Sequence, residues 1–407
     1  MYLTFIFILF SLTIFASSAY GNMRFSVSGK LETGLVSADE LTSYQNSGSG
    51  NLRWDESGLK VQQAFLKVDA NFSRSWSGSA VVNAHEDGRK HLGFTQAFIE
   101  YKPLTKNKIK RQFKAGFFYP ELSVENTDAA WLSPYFFAQS AINSWVGEEL
   151  RIFGGEYRLI SSGRSRRSPW SWDLMAGLYK GNDSTGALLA WRGFAMHDRQ
   201  SLHHDRLNFM TNPVINNLER IQAPSWVEPF REIDTRWGAY LGAHVKYLRK
   251  SELRYYYYDN NADPTIFDED RMYAWHTKFH SLSFQHQLSP SILLFGQGMS
   301  GSTLMGPRMV FADFYAGYIA LSYQQQMHRV SLRFDRFQVN EDDRIPQDPN
   351  DSDGKGITIN YRYKLSDAME LGVEMHANES SVANRVMANE APKQKQSQAL
   401  LVFSYTF

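Results

Sequence analysis

Apolar and polar side chains alternate along this chain in segments of about ten residues, and a strand sends such alternate side chains to opposite faces of a sheet. Phe25, Val27, Gly29, Leu31, Thr33 and Leu35 interleave with Arg24, Ser26, Ser28, Lys30, Glu32 and Gly34. Trp237, Ala239, Leu241, Ala243, Val245 and Tyr247 interleave with Arg236, Gly238, Tyr240, Gly242, His244 and Lys246. The chain closes on the same pattern, with Ala399, Leu401, Phe403, Tyr405 and Phe407 on one parity. Segments of this length and period, apolar on one face and polar on the other, match transmembrane barrel strands. A soluble sandwich or propeller also alternates, but it would space its loops more evenly or repeat every 40 to 50 residues or so, and no such repeat is present.

The pattern predicts strands at 24–35, 58–72, 76–85, 94–102, 109–118, 148–160, 170–180, 236–247, 252–258, 274–287, 291–300, 314–325, 329–340, 356–364, 369–378 and 397–407. Every odd gap between them is longer than its even neighbours, as expected of an up-and-down membrane barrel with short periplasmic turns and long outer loops. The fold class is therefore all-β: a transmembrane antiparallel β-barrel of about 16 strands. Eighteen are possible if GALLAWRGFA (186–195) adds a strand. Breaks in parity predict β-bulges within 148–160 and near Ser281. Trp76, Tyr101, Trp170, Tyr247 and Tyr323 fall at strand ends, as interfacial aromatic girdles require.

Residues 1–21 read as a signal peptide: MYLTFIFILFSLTI carries no charge, small residues follow, and cleavage is expected after Ala19 or Gly21. Residues 22–407 then form a single outer-membrane barrel domain. No later run reaches the roughly 20 apolar residues of a membrane helix. The 43 Lys plus Arg nearly cancel the 42 Asp plus Glu, which argues against nucleic acid as a partner. There is no cysteine, so backbone pairing and packing must hold the fold without disulfides.

A barrel of sixteen strands is wide enough for a water channel. The third outer gap, 119–147 (YPELSVENTDAAWLSPYFFAQSAINSWVG), is too long for a simple connection and too aromatic for disorder. It is the expected constriction, with Glu121, Glu125, Asp128 and Tyr135 as candidate pore residues. The fourth outer gap, 181–235, is expected to cap the pore or latch onto a neighbouring subunit. Inward parity carries fourteen basic against seven acidic side chains. Lys30, Lys67, Lys114, Arg151, Arg236 and Lys246 are candidates for a basic wall, and fixed charge of one sign biases which ion enters.

Sixteen strands with a long third loop resemble the general porins of Gram-negative bacteria. LGFTQAFIEYKPL, QFKAGFFYPELSVEN, SAINSWVGEELRIFGGEYRL, WRGFAMHDRQ and VNEDDRIPQDPNDSDGKG also resemble a proteobacterial porin group related to phosphate-selective porins. The resemblance implies an integral outer-membrane protein, a homotrimer, and passive diffusion of small hydrophilic solutes; the basic wall favours weak anion preference, with a nearly unselective pore as the alternative. A substrate-specific channel for phosphate, other anions or small nutrients is the alternative. The strand ending in Phe403, Tyr405 and Phe407 resembles the signal read by the barrel insertion machinery. Outer-membrane lipid and lipopolysaccharide are further expected partners.

Sharper chemistry finds less support. His203, His204 and Asp205 lack the spacing of a zinc motif. The acidic stretch 341–355 offers Asp348, Asp351 and Asp353 to Ca²⁺, but Asp353 stands where a calcium loop wants Gly. No cofactor is otherwise expected. No motif places a nucleophile beside a base, so neither an enzyme nor a metal centre is expected, and the enzyme and receptor readings rank below the channel.

Overall fold

Two-sided strands in lipid must pair every backbone group with a neighbour, and only closure does this for the first and last strand. The computed structural model describes residues 23–210, 212–217, 221–342, 344–345 and 347–407. The expected signal peptide, 1–21, lies outside the described residues, as does Asp343 of the acidic loop. Among the described residues sixteen strands close into one antiparallel barrel in which chain neighbours are sheet neighbours. They are β1 (Arg24–Ala38), β2 (Gly58–Asn71), β3 (Trp76–Ala84), β4 (Leu92–Tyr101), β5 (Ile109–Phe118), β6 (Ile152–Ser161), β7 (Trp170–Lys180) and β8 (Gly238–Tyr247). They continue with β9 (Ser251–Asp259), β10 (His276–Ser289), β11 (Ile292–Met305), β12 (Val310–Gln325), β13 (His328–Glu341), β14 (Ser352–Lys364), β15 (Met369–Val382) and β16 (Lys393–Thr406).

The seam is closed by β1 against β16, from Lys30 opposite Thr406 to Ala38 opposite Gln398. Phe407 extends it, exchanging both backbone hydrogen bonds with Gly29 at 3.0 Å. Outward side chains form an apolar belt, including Leu178, Leu241, Ile319, Phe334, Ile359 and Met375, all exposed. A soluble protein would bury such residues; lipid is the solvent that accepts them. The girdle residues pair across strands at the short-turn end, Trp76 with Tyr101 and Trp170 with Tyr247, each with ring centroids 4.7 Å apart.

Three local expectations are corrected. The segment 148–160 begins its strand only at Ile152, because 148 and 149 end a helix, α1 (Ala141–Glu149). The segment 186–195 holds a short helix, α2 (Ala187–Arg192), and adds no strand, which fixes the count at sixteen. The parity breaks at 148–160 and Ser281 are not bulges: β5 pairs with β6 in unbroken register, and β10 with β11 stays in register through Ser281. Register shifts fall instead at Glu32/Thr33, Val81/Val82 and Gln287/Ser289. Leu150, Ile152, Trp275 and Phe279 break the pattern because they are buried inside the barrel, where apolar loops meet them.

Candidate functional site

The third outer loop, L3 (119–151), turns into the lumen and crosses to the far wall. Ser283 on β10 donates to the Leu122 carbonyl, and Arg254 on β9 donates to the carbonyls of Glu121 and Ser123. Further along, Arg329 reaches the Pro134 carbonyl and Arg362 that of Ser133. The deepest anchor is Arg333 on β13, with no exposed surface. It pairs with Glu125 at 2.5 Å and Asp335 at 2.7 Å and donates to the carbonyls of Ala138 and Gln139. Glu374 on β15 accepts from the amides of Phe137 and Ala138, both at 2.7 Å. Charges taken this far from water persist only with partners, and here Arg333 has two carboxylates while Glu374 has the two amides and Asn360 Nδ2.

L3 ends in α1. Ser140 caps it, its hydroxyl accepting from the Asn143 amide, and every residue of the helix is buried. Trp145 packs edge-on to Phe279 of β10 and Phe194, 5.5 and 6.5 Å away. α1 also holds the fourth outer loop, L4 (181–237). Glu149 accepts from Trp145 Nε1 at 2.6 Å and from the Gly186 and Leu188 amides at the start of α2 at 2.9 and 3.0 Å. Burial, with Glu148 adjacent, outweighs those bonds and pushes its carboxyl up to about 7. Burial also opposes ionisation of Glu148, yet Arg192 at 2.6 Å and His197 at 3.2 Å hold it at about 2.

L4 thus runs inward through 182–202, almost wholly buried. It then returns over the outer mouth, where the ladder of Leu207–Asn208 with Trp226–Val227 packs against Trp191, Met272, Trp275 and Val310. Arg53 of the first outer loop pairs with Asp87 of the second and Asp198 of L4, each at 2.8 Å, so three loops are clamped together. L4 also mends the wall: β4 pairs with β5 only over Ala97–Tyr101, and the His203 amide bonds the free Phe94 carbonyl. Arg151 fills the same gap, donating to the carbonyls of Thr95, Gly147 and Ser201 beneath the Phe230 ring.

Inward side chains of β8 and β10–β16 such as Tyr240, Ser281, Phe295, Phe314, Val339, Thr358, His376 and Val402 are buried, so L3 and L4 fill the outer half of the lumen. Water reaches the periplasmic half. A cavity of about 560 Å³ is lined by Lys67, Asp69, Glu100, Lys114, Glu121 and Arg254, among others. A second, of about 140 Å³, is lined by Lys30, Arg329, Arg362, Lys364, Asp367 and Glu370, and Asp128 of L3 stands between the two.

Of the residues expected at the pore, Glu121 faces the larger chamber, pairing with Arg158 at 2.9 Å and Lys114 at 3.4 Å. Lys67 pairs there with Asp69 at 2.9 Å. Asp128 divides the chambers, Lys30 pairs with Glu32 at 2.6 Å, and Lys246 lies 3.5 Å from Asp173. Glu125 lies in the buried Arg333 anchor, and Tyr135 packs against Phe295 with ring centroids 4.5 Å apart. Arg151 is buried in the wall gap, and Arg236 pairs with Asp263 at 2.8 Å on the outer rim, so neither faces the chambers. Phe403 faces outward on β16, while Phe407 completes the seam. Asp348 is buried against Asn212 and Asn350, Asp351 accepts from the Glu341 amide, and Asp353 faces outward from β14. The carboxylates that do converge, among the described residues, are Asp183, Glu232 and Asp234.

No family model matches the chain, and no curated protein matches it. Among solved structures it is similar to the outer membrane channel DcaP of Acinetobacter baumannii, at 11% identity and a TM-score of 0.58 over 96% of this chain and 99% of that one. It is similar to OmpT, an outer membrane protein of Vibrio cholerae, at 11% identity and a TM-score of 0.55 over 96% and 99%. An anion-selective porin from Comamonas acidovorans follows at 10% identity and a TM-score of 0.50 over 95% and 100%. Identity this low speaks for the fold. The chain is an integral β-barrel with the fold of the outer-membrane porins, and the apolar belt places it in the membrane.

Proposed function

We propose that this barrel is an outer-membrane channel for passive diffusion of small hydrophilic solutes and ions, closed at rest by L3 and L4. The observation that carries the reading is the pair of wet, charge-lined chambers below a plug made of the chain's own loops. Their walls hold seven cationic side chains against six anionic ones, a slight excess that supports weak anion preference at most. The plug also favours a second reading, a channel specific for phosphate, another anion or a small nutrient, since L4 buries groups that a permanently open pore would leave in water. Assembly as a homotrimer belongs to the same proposal; one of the similar OmpT structures is described as a trimer form.

Planar-bilayer recording of the purified mature protein tests this. Discrete openings, in triplets for a trimer, with a reversal potential displaced slightly toward chloride, are expected. A bilayer that stays silent after verified insertion, even with L4 removed, would refute the channel reading.

A further inference from the structure

Seven short turns join the strands at the periplasmic end, and their charge is one-sided. Four follow one another along the chain: T1 (72–75), T2 (102–108), T3 (162–169) and T4 (248–250). T1 carries Arg74, and T2 carries Lys102, Lys106 and Lys108. T3 carries Arg164, Arg166 and Arg167, and T4 carries Arg249 and Lys250. No Asp or Glu stands among them. The other three turns, 290–291, 326–327 and 365–368, hold no Lys or Arg and one acid, Asp367. In a chain whose 43 cationic side chains meet 42 anionic ones, nine against none on half of one rim is a local feature that composition does not explain.

The four turns form one arc. The Lys102 amide bonds the Ser75 carbonyl and the Leu248 amide the Pro169 carbonyl, both at 2.7 Å, while Ile109 stands opposite Ser161 between T2 and T3. All nine cations but Arg166 are exposed. Among the described residues only Lys102 has an ion-pair partner, Glu100 at 2.6 Å. Neighbouring turns lie two strands apart, about 10 Å, which is also the screening length at 0.1 M salt, so their fields add. Lipid headgroups surround a barrel on every side and would favour cations on all seven turns; these occupy one half. T2 and T3 are also longer than the two to five residues of a hairpin loop, so they project past the girdle residues Tyr101 and Trp170. Apolar tips stand among the cations: Leu104 is 74% exposed, and Phe72 and Leu248 are exposed too. Apolar anchors within a charged surround are the make-up of a protein-docking surface. T1 and T2 join the strands β2–β5 that line the larger chamber, so whatever docks there covers that chamber's mouth.

We propose that this arc is the docking site for a soluble periplasmic protein, one that presents an acidic segment with apolar side chains interspersed. The cations of T1–T4 steer and orient the partner, and Leu104 and Leu248 seat its apolar side chains. Charge of one sign brings the partner to this half of the rim, and the apolar tips distinguish a polypeptide from any other polyanion.

Fluorescence anisotropy tests the site on the intact mature protein in nanodiscs of zwitterionic phosphatidylcholine, with no conductance required. The probes are a labelled peptide of five Glu-Glu-Leu repeats and a labelled peptide of fifteen glutamates. The quadruple variant Lys106→Gln, Arg164→Gln, Arg167→Gln, Arg249→Gln removes exposed cations and is expected to weaken both peptides about tenfold. The same number of changes at the outer end, Arg336→Gln, Lys355→Gln, Lys393→Gln and Lys395→Gln, is expected to leave binding unchanged. At 0.15 M salt the Glu-Glu-Leu peptide is expected to bind the wild type more tightly than the glutamate peptide, and Leu104→Ser with Leu248→Ser to remove that difference. Heat-modifiable migration on gels confirms that each variant is a folded barrel. Equal binding by the wild type and the quadruple variant overturns the proposal. Equal binding of the two peptides by the wild type overturns it in favour of an unselective polyanion surface. If discs containing anionic phosphatidylglycerol abolish binding by the wild type, the cations face headgroups and the proposal fails.

Discussion

Glu149 joins the two inserted loops, and its protonation state decides how firmly. Its carboxyl ionises near 7 in the folded chain against an ordinary value near 4.5, because it is buried and adjoins Glu148. The folded state therefore binds the proton more tightly than the unfolded one, and docking of L4 loses stability as pH rises from about 4.5 to 7. Complete ionisation costs on the order of 3 kcal/mol. Asp183, where L4 begins, is buried and also ionises near 7, so it adds in the same direction. Amide protection factors across 186–192, taken relative to the intrinsic exchange rate at each pH, are expected to fall between pH 5 and pH 8. Glu149→Gln, which keeps the shape without the titration, is expected to flatten most of that dependence; an unchanged profile would remove Glu149 from the account. Arg333 poses the opposite case, a buried cation with two acids. Arg333→Met leaves Glu125 and Asp335 buried without their cation, and a loss of roughly 3–5 kcal/mol is expected. Denaturant unfolding of the purified barrel measures it, and protease cleavage within 133–140 should rise in parallel.

At the scale of elements, L4 is the gate of the proposed channel and L3 its seat, since Glu148, Glu149 and Ser144 of α1 hold Arg192, the start of α2 and His197. Replacing 187–227 with a short Gly-Ser turn is expected to raise conductance several-fold while leaving the barrel heat-modifiable, as a large pore without its lining loop would. Unchanged conductance in that folded variant would count against the gate. Much of this architecture was legible in the sequence. Strand positions followed from the period of two, because lipid outside and polar groups inside impose it on each strand separately. The long third loop stood out by its length and aromatic content. What stayed hidden was contact between loops far apart in sequence. GALLAWRGFA reads as readily as strand or helix at that length, and only Glu149, some forty residues earlier, makes it a helix by capping its first amides. The breaks at Ile152 and Phe279 looked like bulges because an apolar residue on the inward parity has two explanations. The second, an apolar loop packed inside the barrel, cannot be seen locally. Arg151 shared the basic parity yet fills a gap in the wall, since nothing in the sequence shows that β4 and β5 part above Ala97.

For the whole molecule, closure and selectivity follow from different parts of the same wall. The seam is narrow in sequence terms: Phe407 supplies the last two backbone bonds, so its deletion is expected to lower the yield of folded barrel and leave conductance per inserted molecule unchanged. The proposed weak selectivity rests on a near balance of fixed charge. Seven cations face six anions around the two chambers, and screening over about 10 Å at 0.1 M salt weakens what remains. Reversal potentials across a tenfold salt gradient should therefore lie close to zero on the chloride side. Lys67 and Lys364 each face a chamber and pair with Asp69 and Asp367 rather than with L3, so Lys67→Gln with Lys364→Gln changes the balance to five against six without loosening L3. Recorded in the form lacking 187–227, so that gating does not intervene, the double variant is expected to shift the reversal potential to the cation side of zero. A shift toward chloride, or none at low salt, would place the selective zone elsewhere, at the carboxylate cluster of Asp183, Glu232 and Asp234 or among the outer loops.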